Sequence, residues 1–296
     1  MDFKEELKKY ANIVNNELIK HVRREECPEK ILNESVEYSL ITSAKRLRPI
    51  LMISSYKLFK ENYEKCFPFG VAMEMIHNFS LIHDDLPAID DDDYRHGKLT
   101  NHKKFNESTA ILAGDSLLNN AYIVISKDIM NSTDENEKNL KIKAFSEFAE
   151  GVDRMIAGEY VDTEYEGKPI SHEYLEYMNE NKTGALIKVS VRIGAILAGA
   201  NKENLDKLTS YAEKIGLAFQ MKDDILSEEG DFEKLGKPIG NDREKGKATF
   251  VTKYGLEKAK EMLNQIIKEA KEELNSFGES ASFLIKLADF IKDREK

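Results

Sequence analysis

The chain has 296 residues, 41% of them hydrophobic and 33% charged, a balance that supports a packed core under a well-solvated surface. Its net charge of −10 argues against non-specific nucleic-acid binding, which needs a basic face. Only two cysteines occur, Cys27 and Cys66, with neither zinc-like spacing nor a disulfide framework, so a reducing, cytoplasmic setting is expected.

In chain order, residues 1–22 place apolar positions at helical spacing among charges, with no continuous apolar h-region, so no secretory signal is expected. Lys45-Arg46-Leu47-Arg48-Pro49 then sets Lys45 and Arg48 one helical turn apart. Val71, Ala72, Met75, Ile76, Phe79, Ile82 and His83 form a stripe at i, i+4, i+8 spacing. Segments 110–130, 140–161, 184–199, 205–227 and 256–275 also read as helices, broken at 131–139, 164–172 and 228–248. The apolar stretch Ala185 to Ala200 is interrupted by Lys188 and Arg192, which makes it a core helix and not a membrane span. The 228–248 segment holds four glycines and a proline among charges, a composition that suits a functional loop. No run alternates convincingly as a strand. The expectation is one all-α domain, 1–296, of about ten helices.

Two aspartate-rich segments carry the chemistry. Asp84-Asp85 closes the first apolar stripe and runs through Pro87 to Asp90-Asp91-Asp92-Asp93. Carboxylates this dense repel one another and lose hydration unless cations neutralise them. A solvated acidic loop is the plain alternative, and a calcium loop lacks its glycine and its closing glutamate. His77 lies two turns before Asp84 on the same face, and Arg95 and His96 follow closely. In the second segment Asp223, Ser227 and Asp231 share a helical face, with Gln220 one turn earlier and Asp224 adjacent. Oxygen ligands favour hard cations, and Mg²⁺ in particular is shared between a few carboxylates and substrate phosphates.

Basic residues recur beside glycine, threonine or helix starts: Lys182-Thr183-Gly184 opens an apolar helix, and Lys237 and Lys247 lie in the glycine-rich loop. Nucleophile elbow, Cys–His pair, Walker loop and dinucleotide fingerprint are all missing. A reaction that expels diphosphate needs no protein nucleophile, only charge stabilisation.

The ordered set KRLRP, His77, DDLPAIDDDD, Arg95, KTGAL, QMKDD, LGKPIGND and GKAT resembles the trans-type prenyl diphosphate synthases, most closely their bacterial farnesyl-forming members. The resemblance runs from about Lys45 to Thr249. It implies the all-α isoprenoid synthase type I fold around a deep central cavity, a homodimer, and two acidic motifs facing each other over three Mg²⁺ ions. By this likeness Asp84 and Asp90 ligate metal with support from Asp85, and Asp223 holds the remaining ion beside Asp224. Arg95, Lys182, Lys237 and Lys247 bind the allylic diphosphate. Lys45, Arg48, His77 and His96 bind isopentenyl diphosphate. Thr183 and Gln220 set oxygen dipoles near the allylic cation. The implied reaction is ionisation, condensation and elimination, with diphosphate taking the proton and the 228–248 loop as a lid. Phe79 and Ser80, at the cavity floor, imply a fifteen-carbon product.

This sequence departs from the family pattern at Ser227, His96 and Ala44, where the family commonly carries aspartate, arginine and glycine. Ser227 makes the second motif similar to that of class I terpene cyclases, although Lys45, Arg48 and His77 would be superfluous in a cyclase. A geranyl or geranylgeranyl diphosphate synthase and a non-catalytic synthase subunit are the other readings.

Overall fold

The computed structural model describes residues 2–22, 26–41, 44–168, 170–229 and 249–294. Among these residues thirteen α-helices form almost all the regular structure, with two 3₁₀ turns and one short hairpin. The all-α expectation holds. The excess over ten helices comes mainly from one-turn elements such as α5 (Asn101–Lys104) and α11 (Phe250–Tyr254). The chain divides into two compact units, one of Met1–Ile53 with Asn62–Phe145 and the other of Ser54–Glu61 with Ser146–Lys296.

The first unit is organised around α4 (Phe67–Asp84), whose residues 69–76 are all buried together with Asn78, Phe79 and Ile82. A helix apolar on nearly every face belongs at the centre of its unit. Pro68 sits in the first turn, where its missing N–H breaks no helical bond. Around α4 pack α1 (Phe3–Ile19), α2 (Lys30–Leu40) and α6 (Glu107–Met130). Asn106 caps α6 by accepting the Thr109 N–H at 2.8 Å.

Between α4 and α6 the chain forms a hairpin, Tyr94–Arg95 paired antiparallel with Lys98–Leu99. Two residues per strand are too few for the alternation that a sequence reading looks for. The turn is His96-Gly97, both left-handed at φ 51° and 75°, which is the twist a two-residue hairpin requires.

In the second unit α9 (Gly184–Leu197) is the apolar helix, with all its residues buried except Lys188 and Arg192. Neither charge is stranded: Lys188 reaches Glu213, and Arg192 pairs with Glu147 and donates to Thr209. α10 (Lys202–Glu229) crosses α9 at a pair of glycines, where a Cβ on Gly216 would lie 3.0 Å from the Gly184 Cα. α12 (Leu256–Glu273) and α13 (Ser282–Asp293) pack on α10, and the Tyr211 hydroxyl donates to the Leu284 carbonyl at 2.9 Å.

The expected breaks shorten. α7 (Glu135–Tyr165) starts five residues earlier than the 131–139 break allowed, because the Asp134 carboxylate accepts the Glu137 N–H at 2.7 Å and caps it. α8 (His172–Lys182) starts where Ser171 accepts the Tyr174 N–H. α10 runs through Glu229, and the remainder of the expected 228–248 loop, with Lys237 and Lys247, lies outside the described residues.

Candidate active site

The first acidic motif begins at the last residue of α4. Asp84 ends the helix, Asp85 caps it, and Leu86–Asp90 then turns back on itself. The Asp90 N–H donates to the Asp84 carbonyl at 2.9 Å, and the Asp91 N–H to Leu86 at 3.2 Å with φ 49° at Asp91. The fold-back brings the backbones of Asp84 and Asp90 together despite the residues between them. Asp85 is buried, and its Oδ1 accepts both the Arg95 Nε, at 2.7 Å, and an Arg95 terminal nitrogen, at 2.6 Å. Burial works against the Arg95 charge, but the bond and charge of Asp85, with Asp84 and Asp92 behind it, prevail and raise the guanidinium above its ordinary value.

The same arginine belongs to a basic cluster. His77, on α4, is held well below the usual histidine range by burial first, then by the charges of Arg48, Arg95, Arg46 and His96. Cations gathered around one neutral imidazole repel one another, and a polyanion such as diphosphate relieves that repulsion. His96 reaches this cluster from the left-handed hairpin turn.

Arg46 explains the KRLRP segment. It is buried at 2% exposure with a left-handed φ of 52°, and its carbonyl accepts the first bond of α3 (Leu47–Tyr56) from Ile50. Its guanidinium donates to Asn15 at 2.8 Å, Glu74 at 2.7 Å and the Leu40 carbonyl at 2.7 Å. With Arg46 pinned inward, exposed Lys45 precedes the helix and Arg48 lies in its first turn. The one-turn spacing expected of Lys45 and Arg48 is therefore not helical: α3 starts too late to include Lys45.

Phe79, one and a half turns below Asp84, packs edge-to-face with His83 at 4.9 Å between centroids. His83 Nε2 lies 3.0 Å from the Ile111 carbonyl, over Gly114, where any Cβ would meet the imidazole at 2.2 Å. Ser80 donates to the His77 carbonyl at 3.0 Å and so stays within the helix.

In the second unit, Thr183 stands at the junction of α8 and α9, and its hydroxyl donates to Gln220 at 3.1 Å. Gln220 donates onward to Asp224 at 2.9 Å, and the second Asp224 oxygen accepts the Phe250 N–H at 2.7 Å. The buried Asp224 thus ties α10 to the first turn of α11. Asp223, next to it, accepts from Arg294 at 2.6 Å. Ser227 lies one turn further along α10. Lys182 is held between Glu159, at 2.9 Å, and Asp162, at 2.5 Å, both on α7. Gly158 makes this approach feasible, since a Cβ there would lie 2.2 Å from the Lys182 backbone nitrogen.

Four contributors were not singled out from sequence: Glu74, Glu159, Asp162 and Arg294. Glu74 left a signal, as the lone carboxylate in the apolar run Phe67–Ile82. Among the described residues no three His, Cys, Asp or Glu side chains converge as a complete metal cage. The candidate donors Asp84 and Asp90 offer only oxygen, which would suit Mg²⁺, an ion that takes few protein carboxylates and fills its octahedron from phosphate and water. A cleft of about 600 Å³ in the first unit, lined by residues such as His21, Met75, Ile123 and Lys127, includes none of these site residues. No described helix is long and apolar enough to cross a membrane.

Comparison with known proteins places the whole chain. Residues 29–282 match the polyprenyl synthetase family profile. The chain is 38% identical to a farnesyl diphosphate synthase of Micrococcus luteus, over 97% of this chain and 96% of that protein. It is 42% identical to a geranylgeranyl diphosphate synthase of Cyanophora paradoxa, over 88% of this chain and 87% of that protein. The crystal structure of an FPP/GFPP synthase from Zymomonas mobilis superposes with a TM-score of 0.86 at 32% identity, covering 98% of each chain. With the profile spanning most of both units and the motifs in order, the chain belongs to the polyprenyl synthetase family.

Proposed function

We propose that this protein is a farnesyl diphosphate synthase, joining isopentenyl diphosphate to dimethylallyl and then geranyl diphosphate. One observation supports the reading at the level of the site: Arg95 is bonded to Asp85 of the first motif and adds its charge to those around His77. On this reading a metal-binding edge and a diphosphate-binding edge would share one unit. The near full-length likeness to the Micrococcus luteus enzyme supports the same activity.

Asp84 and Asp90, with Asp85 behind them, and Asp223, with Asp224 behind it, would hold up to three Mg²⁺ ions. Bound there, the metal neutralises charge on the departing diphosphate. Lys182 and Arg95, with Lys237 and Lys247, would bind the allylic diphosphate. Lys45, Arg48, neutral His77 and His96 would bind that of isopentenyl diphosphate. The Thr183–Gln220 pair presents oxygen dipoles that suit a developing allylic cation. No residue need take the final proton, because the released diphosphate can accept it.

Phe79, its ring fixed by His83, would limit the product to fifteen carbons. The likeness to the Cyanophora paradoxa enzyme supports a twenty-carbon product as the second reading. We further propose that both units act as one synthase domain, that the active form is a cytoplasmic homodimer, and that cysteines Cys27 and Cys66 remain reduced. The test is radiolabelled isopentenyl diphosphate with each allylic primer, with and without Mg²⁺, followed by product-length chromatography. Farnesyl diphosphate formed only with metal supports the reading. Consumption of an allylic substrate without isopentenyl diphosphate would point to a cyclase, and no turnover at all would sink the proposal.

A further inference from the structure

We infer that Arg294 is the internal counter-cation of the second aspartate motif, pairing with Asp223 in the metal-free protein and yielding it when metal binds. The inference rests on the reading of Asp223 as a metal ligand.

Arg294 follows α13, where the backbone leaves the helix at φ −62°, ψ 146°, and its side chain reaches α10. One terminal nitrogen donates both to Asp223 Oδ1, at 2.6 Å, and to the Phe219 carbonyl, at 2.9 Å. The guanidinium carbon stands 3.9 Å from the centre of the Phe219 ring, a cation–π contact. The arginine side chain is 7% exposed, whereas that of Asp223 is 44% exposed. The guanidinium is thus the fixed partner and the carboxylate the accessible one.

Asp223 and Asp224 are adjacent on one helix, and a bare pair of carboxylates there would repel. Asp224 is buried and accepts from Gln220 and Phe250, while the Arg294 charge meets Asp223. A divalent ion at Asp223 and a guanidinium on the same oxygen exclude each other by charge and by space. The pair therefore competes with metal, and the apparent affinity falls by roughly the pair's own equilibrium constant, about fivefold for a half-exposed ion pair. The Arg294 Nε is buried without a hydrogen-bond partner, so the arrangement leaves part of the guanidinium unsatisfied and is not a deep well.

The experiment is calorimetric titration of Mg²⁺ into the full chain saturated with inorganic diphosphate, for wild type, Arg294→Gln, Arg294→Lys and Asp223→Asn. Arg294→Gln should bind metal about fivefold more tightly, and Arg294→Lys should stay near wild type. Asp223→Asn should bind more weakly. Unchanged or weaker binding by Arg294→Gln, with weakening in Asp223→Asn, overturns the inference and leaves the ligand reading intact. Unchanged binding by Asp223→Asn, or none by wild type, removes both. Melting of the same variants is a second readout. Arg294→Gln should melt lower without metal, and Mg²⁺ with diphosphate should shrink the deficit. An equal deficit in both conditions would make Arg294 purely structural and refute the exchange.

Discussion

Replacing Glu74 with alanine tests how the segment from Lys45 to Arg48, proposed to bind isopentenyl diphosphate, is held. Arg46 and Glu74 form an ion pair with side chains 1% and 2% exposed, at 2.7 Å. Arg46 has two other acceptors, Asn15 and the Leu40 carbonyl, but neither carries a charge. Removing one partner of a buried pair leaves an uncompensated charge and costs about 3–5 kcal/mol. For a chain of this size that is a drop of about 6–10 °C in melting temperature. Because Arg46 anchors the segment between Lys45 and Arg48, the KM for isopentenyl diphosphate should rise more than kcat falls. Thermal melting of Glu74→Ala, Arg46→Met and the double variant forms the cycle. The double variant should lose less than the sum of the singles by about 2 kcal/mol or more, since removing both charges leaves none stranded. A loss below about 1 kcal/mol for Glu74→Ala, or additive losses, would refute the reasoning.

Three further outcomes follow from the site. His77 is held neutral by burial and by Arg48 and Arg95, so its folded pKa lies below the unfolded value of about 6.5. Stability linked to it is complete above about pH 6.5 and is lost as pH falls, because the unfolded chain takes up the proton first. Denaturation profiles between about pH 7 and 5 should be flatter for His77→Gln than for wild type, and equal slopes would count against this assignment. Gly158→Ala would set a methyl 2.2 Å from the Lys182 nitrogen, against backbone that cannot swing aside. It should destabilise by about 1–3 kcal/mol and raise the KM for the allylic substrate; wild-type values of both would show the contact to be soft. Phe79→Ala should shift the product from fifteen to twenty carbons by chromatography, and an unchanged farnesyl product would remove Phe79 as the limiting residue.

The legible parts of the molecule were those fixed by local spacing. The stripe from Val71 to His83 is α4, and the acidic segment does begin at its end because the apolar positions stop at Ile82. The start of α7 was also written locally, in Asp134 and Glu137, but the polar composition of 131–139 hid it. What escaped were pairings across distance. Glu74 is 28 residues from Arg46, Glu159 is 23 from Lys182, and Arg294 is 71 from Asp223. Each looks like an ordinary surface charge until the fold supplies its partner. The hairpin at His96-Gly97 escaped for the opposite reason: its strands are shorter than any period that could announce them.

The bond from the Asp90 N–H to the Asp84 carbonyl closes a small ring of backbone at the end of α4. Within such a ring, a residue gained or lost changes how far the loop bulges, while the backbones of the two aspartates at its neck stay bonded to each other. Loop length and the spacing of the two aspartates along the backbone thus become separate variables. A lineage could remodel what Leu86, Pro87, Ala88 and Ile89 touch without disturbing how Asp84 and Asp90 are set against each other.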